Sequence, residues 1–376
     1  MFRVPVQLLV HLADLPKLMR VISAAAAVAL MPAFVALPTV SFASPDTPRP
    51  VAPRVVSTAI GGVDRSELMA SSIAAAPTVA RTLHEARRDA ADRPAVLTSK
   101  RATARFTVAG VSWSRTSAVL AKDVSVKVRV KEDVGWTAWE PLAMPDDGPD
   151  STTPEAAHAR VGTTPLVTNG ATGIQVRVDT TTGLVPADLK VSTIDPGTSP
   201  ADNNLTQTAT ADSASAATVQ PAIITRAQWG ADEKLRRGTT YNSSVKAITI
   251  HHTAGTNDYT PEGAAAQVRG IYAYDTMGLG WDDIAYNFLV DKWGRVYEGR
   301  AGSITKAVRG AHAMGFNVDT MGISAMGNYD TAAAPAVMVE AMGKVAGWKL
   351  SQYGADPLGK VVLTSQGGSG AKSARR

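Results

Sequence analysis

Between residues 104 and 195 the apolar side chains recur at every second position. Val124, Val126, Val128 and Val130 alternate with Ser125, Lys127, Arg129 and Lys131, and Ile174, Val176 and Val178 alternate with Gln175, Arg177 and Asp179. A period of two sends the two sets to opposite faces of a strand, so these segments are half-buried strands with one face on a core and the other in water. Residues 105–113, 136–142 and 188–194 are further strand candidates, and turn signals such as Asp146-Asp147-Gly148-Pro149 and Thr168-Asn169-Gly170 separate them. No strong helical pattern intervenes, which predicts an antiparallel β-sandwich over 104–195. Trp136 and Trp139 lie three apart in a predicted strand and should face opposite sides, one in the core and one at the rim.

The flanks differ. Residues 196–220 are small and polar and read as a flexible linker, the clearest domain boundary in the chain. Residues 44–103 are rich in Ala, Pro and Arg and are expected to be partly disordered, with a helix over 68–90. Residues 21–40 carry no charge, Arg20 precedes them and Ser41-Phe42-Ala43 follows, which is the pattern signal peptidase reads. A stretch of this length could also anchor in a bilayer. Pro32, Pro38 and the small-residue exit favour cleavage between Ala43 and Ser44, leaving a secreted protein with no stable membrane insertion. Met19 followed by Arg20 would make a compact signal by itself, so it is a candidate start.

From Pro221 the pattern becomes α/β. Residues 245–250 form an apolar strand that runs into His251-His252-Thr253; Thr260-Pro261 should start a helix, with strands over 285–290 and 322–326, a hairpin partner over 295–299, and a second helix over 338–353. Adjacent strand residues point to opposite faces, so only one of His251 and His252 can face a given site. The pair alone is compatible with one core and one surface histidine. The chain has no cysteine, which excludes a disulfide scaffold and any thiolate ligand or nucleophile. A formal net charge of +5 with no long basic run is not a nucleic-acid signature.

Five blocks occur in order: ITRAQWGA (224–231), ITIHHTAG (248–255), GWDDIAYNFLVDKWGRVYEGR (280–300), GAHAMGFN (310–317) and MGISAMGNY (321–329). Together they resemble the peptidoglycan recognition protein family, which is also the zinc-dependent N-acetylmuramoyl-L-alanine amidase family, from about Ile224 to Thr364. The resemblance implies an α/β domain, a mixed sheet with flanking helices, over 221–364, and a groove for peptidoglycan glycan–peptide strands. It implies a zinc ion held by two histidines and a cysteine or aspartate, and a monomer associated with the cell wall. His251 matches the first zinc ligand and Tyr286 the tyrosine that helps polarise the scissile carbonyl, while His252, Thr253, Arg300, His312 and Asn317 fall in blocks that line the groove. Zinc with an open position lowers the pKa of bound water to about 7 and polarises a carbonyl, which is what hydrolysis of an unreactive amide requires.

The family's other two ligands have no counterpart here. The last histidine is His312, and after Thr364 the chain reads SQGGSGAKSARR, a tail expected to be disordered over 365–376. The expectation is therefore an incomplete amidase domain with impaired hydrolysis, the alternative being a non-catalytic peptidoglycan-binding protein.

Overall fold

The computed structural model describes residues 48–74, 94–205 and 219–367. The export signal, most of the helix expected over 68–90 and the end of the tail lie outside these residues. Everything below belongs to one compact unit, Ala43–Arg376.

In the N-terminal domain the strands are β1 (Arg54–Ala59), β2 (Val96–Leu97), β3 (Arg101–Trp113), β4 (Val124–Glu132), β5 (Gly135–Trp136), β6 (Glu140–Leu142), β7 (Val161–Gly162), β8 (Leu166–Thr180) and β9 (Lys190–Asp195), with helices α1 (Arg65–Ala74) and α2 (Pro154–His158). Every ladder among them is antiparallel. Strand β8 pairs with β3 near its start and with β4 from Gly173 onward, and β3 shifts register around Phe106, so the sheet bends over itself into a sandwich. The alternation in β4 is realised: Val124, Val126, Val128 and Val130 are buried, against Phe106, Trp113, Val176 and Val178.

Three expectations are altered by contacts distant in sequence. Gln175 does not face water; it is buried because Thr98, next to β2, closes over it, and its amide is satisfied by Arg129 and by the carbonyl of Thr98. The segment 44–103 contributes sheet rather than only disorder, since β1 runs antiparallel to β9 over six residue pairs. Trp136 and Trp139 are both half-buried and share the Arg129 guanidinium, because residues 137–139 leave the strand and interrupt its alternation.

The C-terminal domain holds strands β10 (Ile223–Ile224), β11 (Ala247–His252), β12 (Phe288–Val290), β13 (Val296–Glu298) and β14 (Thr320–Ala325), and helices α3 (Ala264–Ala273) and α4 (Ala336–Gln352). The sheet order is β10-β13-β12-β14-β11; β12–β13 is antiparallel and the other pairings are parallel. Helices cover both faces. Phe288, Val290 and Ile323 pack against Met338, Val345 and Trp348 of α4, while Leu289 and Tyr297 pack on the other face with Val268, Ile271 and Tyr272 of α3. Helix α3 begins later than Thr260 because residues 261–263 form a turn, and it ends in a π-turn over Tyr274–Gly278.

The two domains share a core and buried charges. Val108 and Ile194 of the sandwich lie in the same apolar cluster as α3. Gly110 lets the Tyr274 ring lie flat on β3, where a Cβ would collide with it, and Tyr274 Oη donates to the Thr163 carbonyl at 2.9 Å. Part of the expected linker is docked. A capping box sets the turn Pro200–Asn204, and its buried Asp202 receives two hydrogen bonds from Arg269 at 2.7 and 2.9 Å. Glu155 of α2 accepts two hydrogen bonds from buried Arg300, at 2.8 and 3.0 Å. Burial opposes the Glu155 charge, but the Arg300 charge and its hydrogen bonds hold this carboxyl below the ordinary range.

Glu155→Ala strands a buried guanidinium and should lower unfolding free energy by about 3–5 kcal/mol in urea denaturation. Because the folded pKa of Glu155 is depressed, its contribution is complete above the reference value of 4.5 and is lost as pH falls through the folded value. Glu155→Gln should therefore flatten the acid limb of the stability curve below about pH 4.5, measured by thermal unfolding.

Candidate functional site

A cleft of about 900 Å³ opens where β11 ends, with walls from both domains. Strand β11 is the sheet edge, and its register with β14 sets His251 opposite Ser324 and His252 opposite Ala325. His251 therefore turns toward the sandwich, and His252 toward the α4 side, where its Nδ1 accepts from the Tyr329 backbone at 3.0 Å. Thr253 is buried at the cleft wall, and its hydroxyl accepts from the backbone of Gly327.

His251 sits in a chain of hydrogen bonds that fixes its tautomer. Thr320 Oγ1 donates its one proton to the Phe316 carbonyl at 2.6 Å, so it must accept from His312 Nε2, 3.3 Å away. The Nδ1 of His312 is then an acceptor, and it takes the proton on His251 Nε2 across 3.1 Å. The remaining nitrogen of His251, Nδ1, keeps a free lone pair. Burial and then the neighbouring His252 push the His251 pKa down to about 4, and burial, then His251, drive that of His312 well down, so both rings are neutral near pH 7. Gly322 makes the pairing possible, since a Cβ there would collide with the His312 ring.

Tyr286 stands beside His251, with ring centroids 5.5 Å apart. Its hydroxyl donates to Asp147 Oδ2 at 2.5 Å, and Asp147 Oδ1 lies 3.7 Å from His251 Nδ1. Burial pushes the Asp147 carboxyl up to about 7, against the lowering effect of the Tyr286 hydrogen bond. Burial, then the charge of Asp147, raises the Tyr286 phenol well above its ordinary value.

The structure brings His251, His252, Thr253 and Tyr286 to the cleft and withdraws the other three residues. Arg300 is buried on Glu155, and His312 is buried behind His251. Asn317 is buried too; its side chain binds the backbone of His312 and Ala313, the Gly148 carbonyl and Asp150. All three support the cleft from behind: partners from residues 148–155 satisfy Arg300 and Asn317, and His251 and Thr320 satisfy His312. Asp147 was missed by sequence reasoning, which saw only a turn at 146–149; two consecutive carboxylates before a glycine were the one available signal.

The donor set does not fit the family's zinc. A catalytic zinc site needs three protein ligands, and among the described residues no three His, Cys, Asp or Glu are placed to share an ion.

The C-terminal domain is thus a mixed α/β sheet flanked by helices, with a cleft at its edge strand where a neutral histidine stands beside a tyrosine. Residues 241–373 match the family described as N-acetylmuramoyl-L-alanine amidase, and residues 66–222 match the one described as Rv3811 N-terminal galactose-binding domain-like. Peptidoglycan-recognition protein SC2 of Drosophila simulans is 40% identical over 109 residues, 29% of this chain and 56% of that protein. Peptidoglycan recognition protein 1 of Bos taurus is 34% identical over 124 residues, 32% of this chain and 60% of its own. The chain thus spans little more than half the length of the curated relatives it matches. Among solved structures, Drosophila PGRP-SA is similar at 28% identity and a TM-score of 0.33, over 36% of this chain and 76% of that one. The amidase LysCS of Clostridium intestinale is similar at 22% identity and a TM-score of 0.30, over 37% and 79%. Residues 241–373 therefore form a domain of the N-acetylmuramoyl-L-alanine amidase family, similar to peptidoglycan recognition proteins.

Gly322→Ala should displace the His312 ring and cost about 1–3 kcal/mol in urea denaturation, the range for overpacking a close-packed core. The imidazole signals of His251 and His312 should shift together in NMR spectra.

Proposed function

We propose that this protein acts on peptidoglycan as a hydrolase of the N-acetylmuramoyl-L-alanine amidase type, with the glycan–peptide strand lying in the cleft. The amide that faces the site would join the lactyl group of N-acetylmuramic acid to L-alanine. The observation that carries this reading is the pairing of His251 and Tyr286 on one cleft wall, 5.5 Å apart and accessible from the sheet edge. Tyr286 can donate to a carbonyl oxygen and stabilise the charge that develops there. The free Nδ1 of His251 can accept a hydrogen bond from the strand. His252 and Thr253 line the same cleft and position the ligand, while Arg300, His312 and Asn317 hold the wall in shape.

The described residues do not complete a zinc site. The 376-residue chain as it stands should bind strands better than it cleaves them. The non-catalytic reading is favoured by one observation: the Tyr286 hydroxyl is already committed to Asp147. The export-type pattern near the N-terminus supports an activity outside the cell, at the wall, and among the described residues no helix is long and apolar enough to cross a membrane. The protein should act as a monomer.

Purified protein should co-sediment with insoluble peptidoglycan, and His251→Ala should weaken that binding about two- to tenfold, the range for one neutral hydrogen bond. Failure of the parent protein to sediment overturns the reading. Dialysis against zinc followed by metal analysis should leave well under one zinc per chain, and dye release from labelled walls should be slow. Stoichiometric zinc with rapid release would overturn the expectation of impaired turnover.

A further inference from the structure

Part of the cleft wall is not supplied by the C-terminal domain: residues 143–147 and 163–165 of the sandwich line it. Asp147 belongs to the turn after β6, in the sandwich, and reaches across to the phenol of Tyr286 at 2.5 Å. A phenol has one proton to donate, so while this bond stands Tyr286 cannot donate to anything else.

The backbone of the turn is fastened to the C-terminal domain. Gly148 N donates to the Ala311 carbonyl at 2.7 Å, and Met314 N to the Asp146 carbonyl at 3.0 Å. Asn317 Nδ2 donates to the Gly148 carbonyl at 2.9 Å, and Asp150 Oδ1 accepts from Gly315 N and Asn317 Nδ2 at 2.8 Å each. Gly148 has φ +149, which favours glycine and turns the chain at this point. The carboxylate is thus delivered by a fixed backbone, and only its own two side-chain torsions need to change for it to leave the phenol. It stands where the carbonyl oxygen of a ligand would meet Tyr286.

We propose that Asp147 is an internal competitor for the ligand's amide carbonyl, so that the N-terminal domain determines which ligands gain the Tyr286 hydrogen bond and how tightly the cleft holds them. The inference rests on the peptidoglycan reading given above. When ionised, Asp147 accepts a bond roughly twice as strong as a neutral carbonyl can, so the carbonyl enters at a disadvantage. A ligand that leaves Asp147 in place forgoes Tyr286, and a ligand that displaces it must offset the lost bond.

The test is calorimetric titration of the full chain with a soluble N-acetylmuramoyl dipeptide. Asp147→Ala should bind on the order of tenfold tighter than the parent, as expected for removing a charged hydrogen bond. Asp147→Asn keeps a neutral acceptor and should fall between the two. Asp133→Asn, which removes a charge from the exposed β4–β5 turn, should match the parent. Adding Tyr286→Phe to Asp147→Ala should erase the gain; a merely structural loosening of the turn would leave it. Binding by the parent with no gain in Asp147→Ala, or a gain that survives the loss of the phenol, overturns the competitor while leaving the peptidoglycan reading intact. If neither the parent nor any variant binds, the peptidoglycan reading falls and this inference falls with it.

Discussion

The arrangement of the cleft depends on the buried ion pair between Glu155 and Arg300. Arg300 follows β13 in the C-terminal domain, and Glu155 lies on the short helix after the turn that carries Asp147 and Asp150. Two charges this deep in an interior are tolerated only when each satisfies the other. Here the pair meets further acceptors, since Arg300 also donates to the carbonyls of Ile284, Asp283 and Arg309. Ile284 and Asp283 stand just before Tyr286, so one guanidinium fixes both the wall that carries the tyrosine and the helix beside the opposing turn.

The site follows from that clamp. His251 owes its face to strand register, its tautomer to the chain through His312 and Thr320, and its exposure to the position of β11 at the sheet edge. Tyr286 owes the orientation of its hydroxyl to a carboxylate from another domain. An imidazole pair, a phenol and an acid gather within one small volume although they are spread from residue 147 to residue 312. Burial lowers both imidazoles and raises the phenol and the acid, so near pH 7 the imidazoles and the phenol are neutral while the acid is divided between its two forms.

How much of this could be read from the residues alone depended on the range of the interaction. The valines of β4 announced their face because the period of a strand is local, and the opposite orientations of His251 and His252 followed from the same rule. Helix α4 was legible from Met338, Met342 and Val345 on one side and Gly354 as its stop. The roles of Arg300, His312 and Asn317 were not legible, because their partners, Glu155, His251 and Asp150, lie between 61 and 167 residues away in sequence. Such residues look like groove contacts until the other domain is present to enclose them. Asp202 makes the same point from a stretch of small polar residues, where nothing local distinguishes a solvated acid from one that holds Arg269.

The shared interior of the two domains bears on any attempt to dissect them. Cutting the protein before Ile223 would remove Glu155 and Asp202 together, leaving Arg300 and Arg269 as unpaired cations in what had been a dry seam. The apolar faces of α3 and Tyr274, now sealed by Val108, Gly110 and Ile194, would be bared to water. A fragment of that kind would be a poor stand-in for the parent, and it would aggregate for reasons unrelated to whatever its cleft recognises.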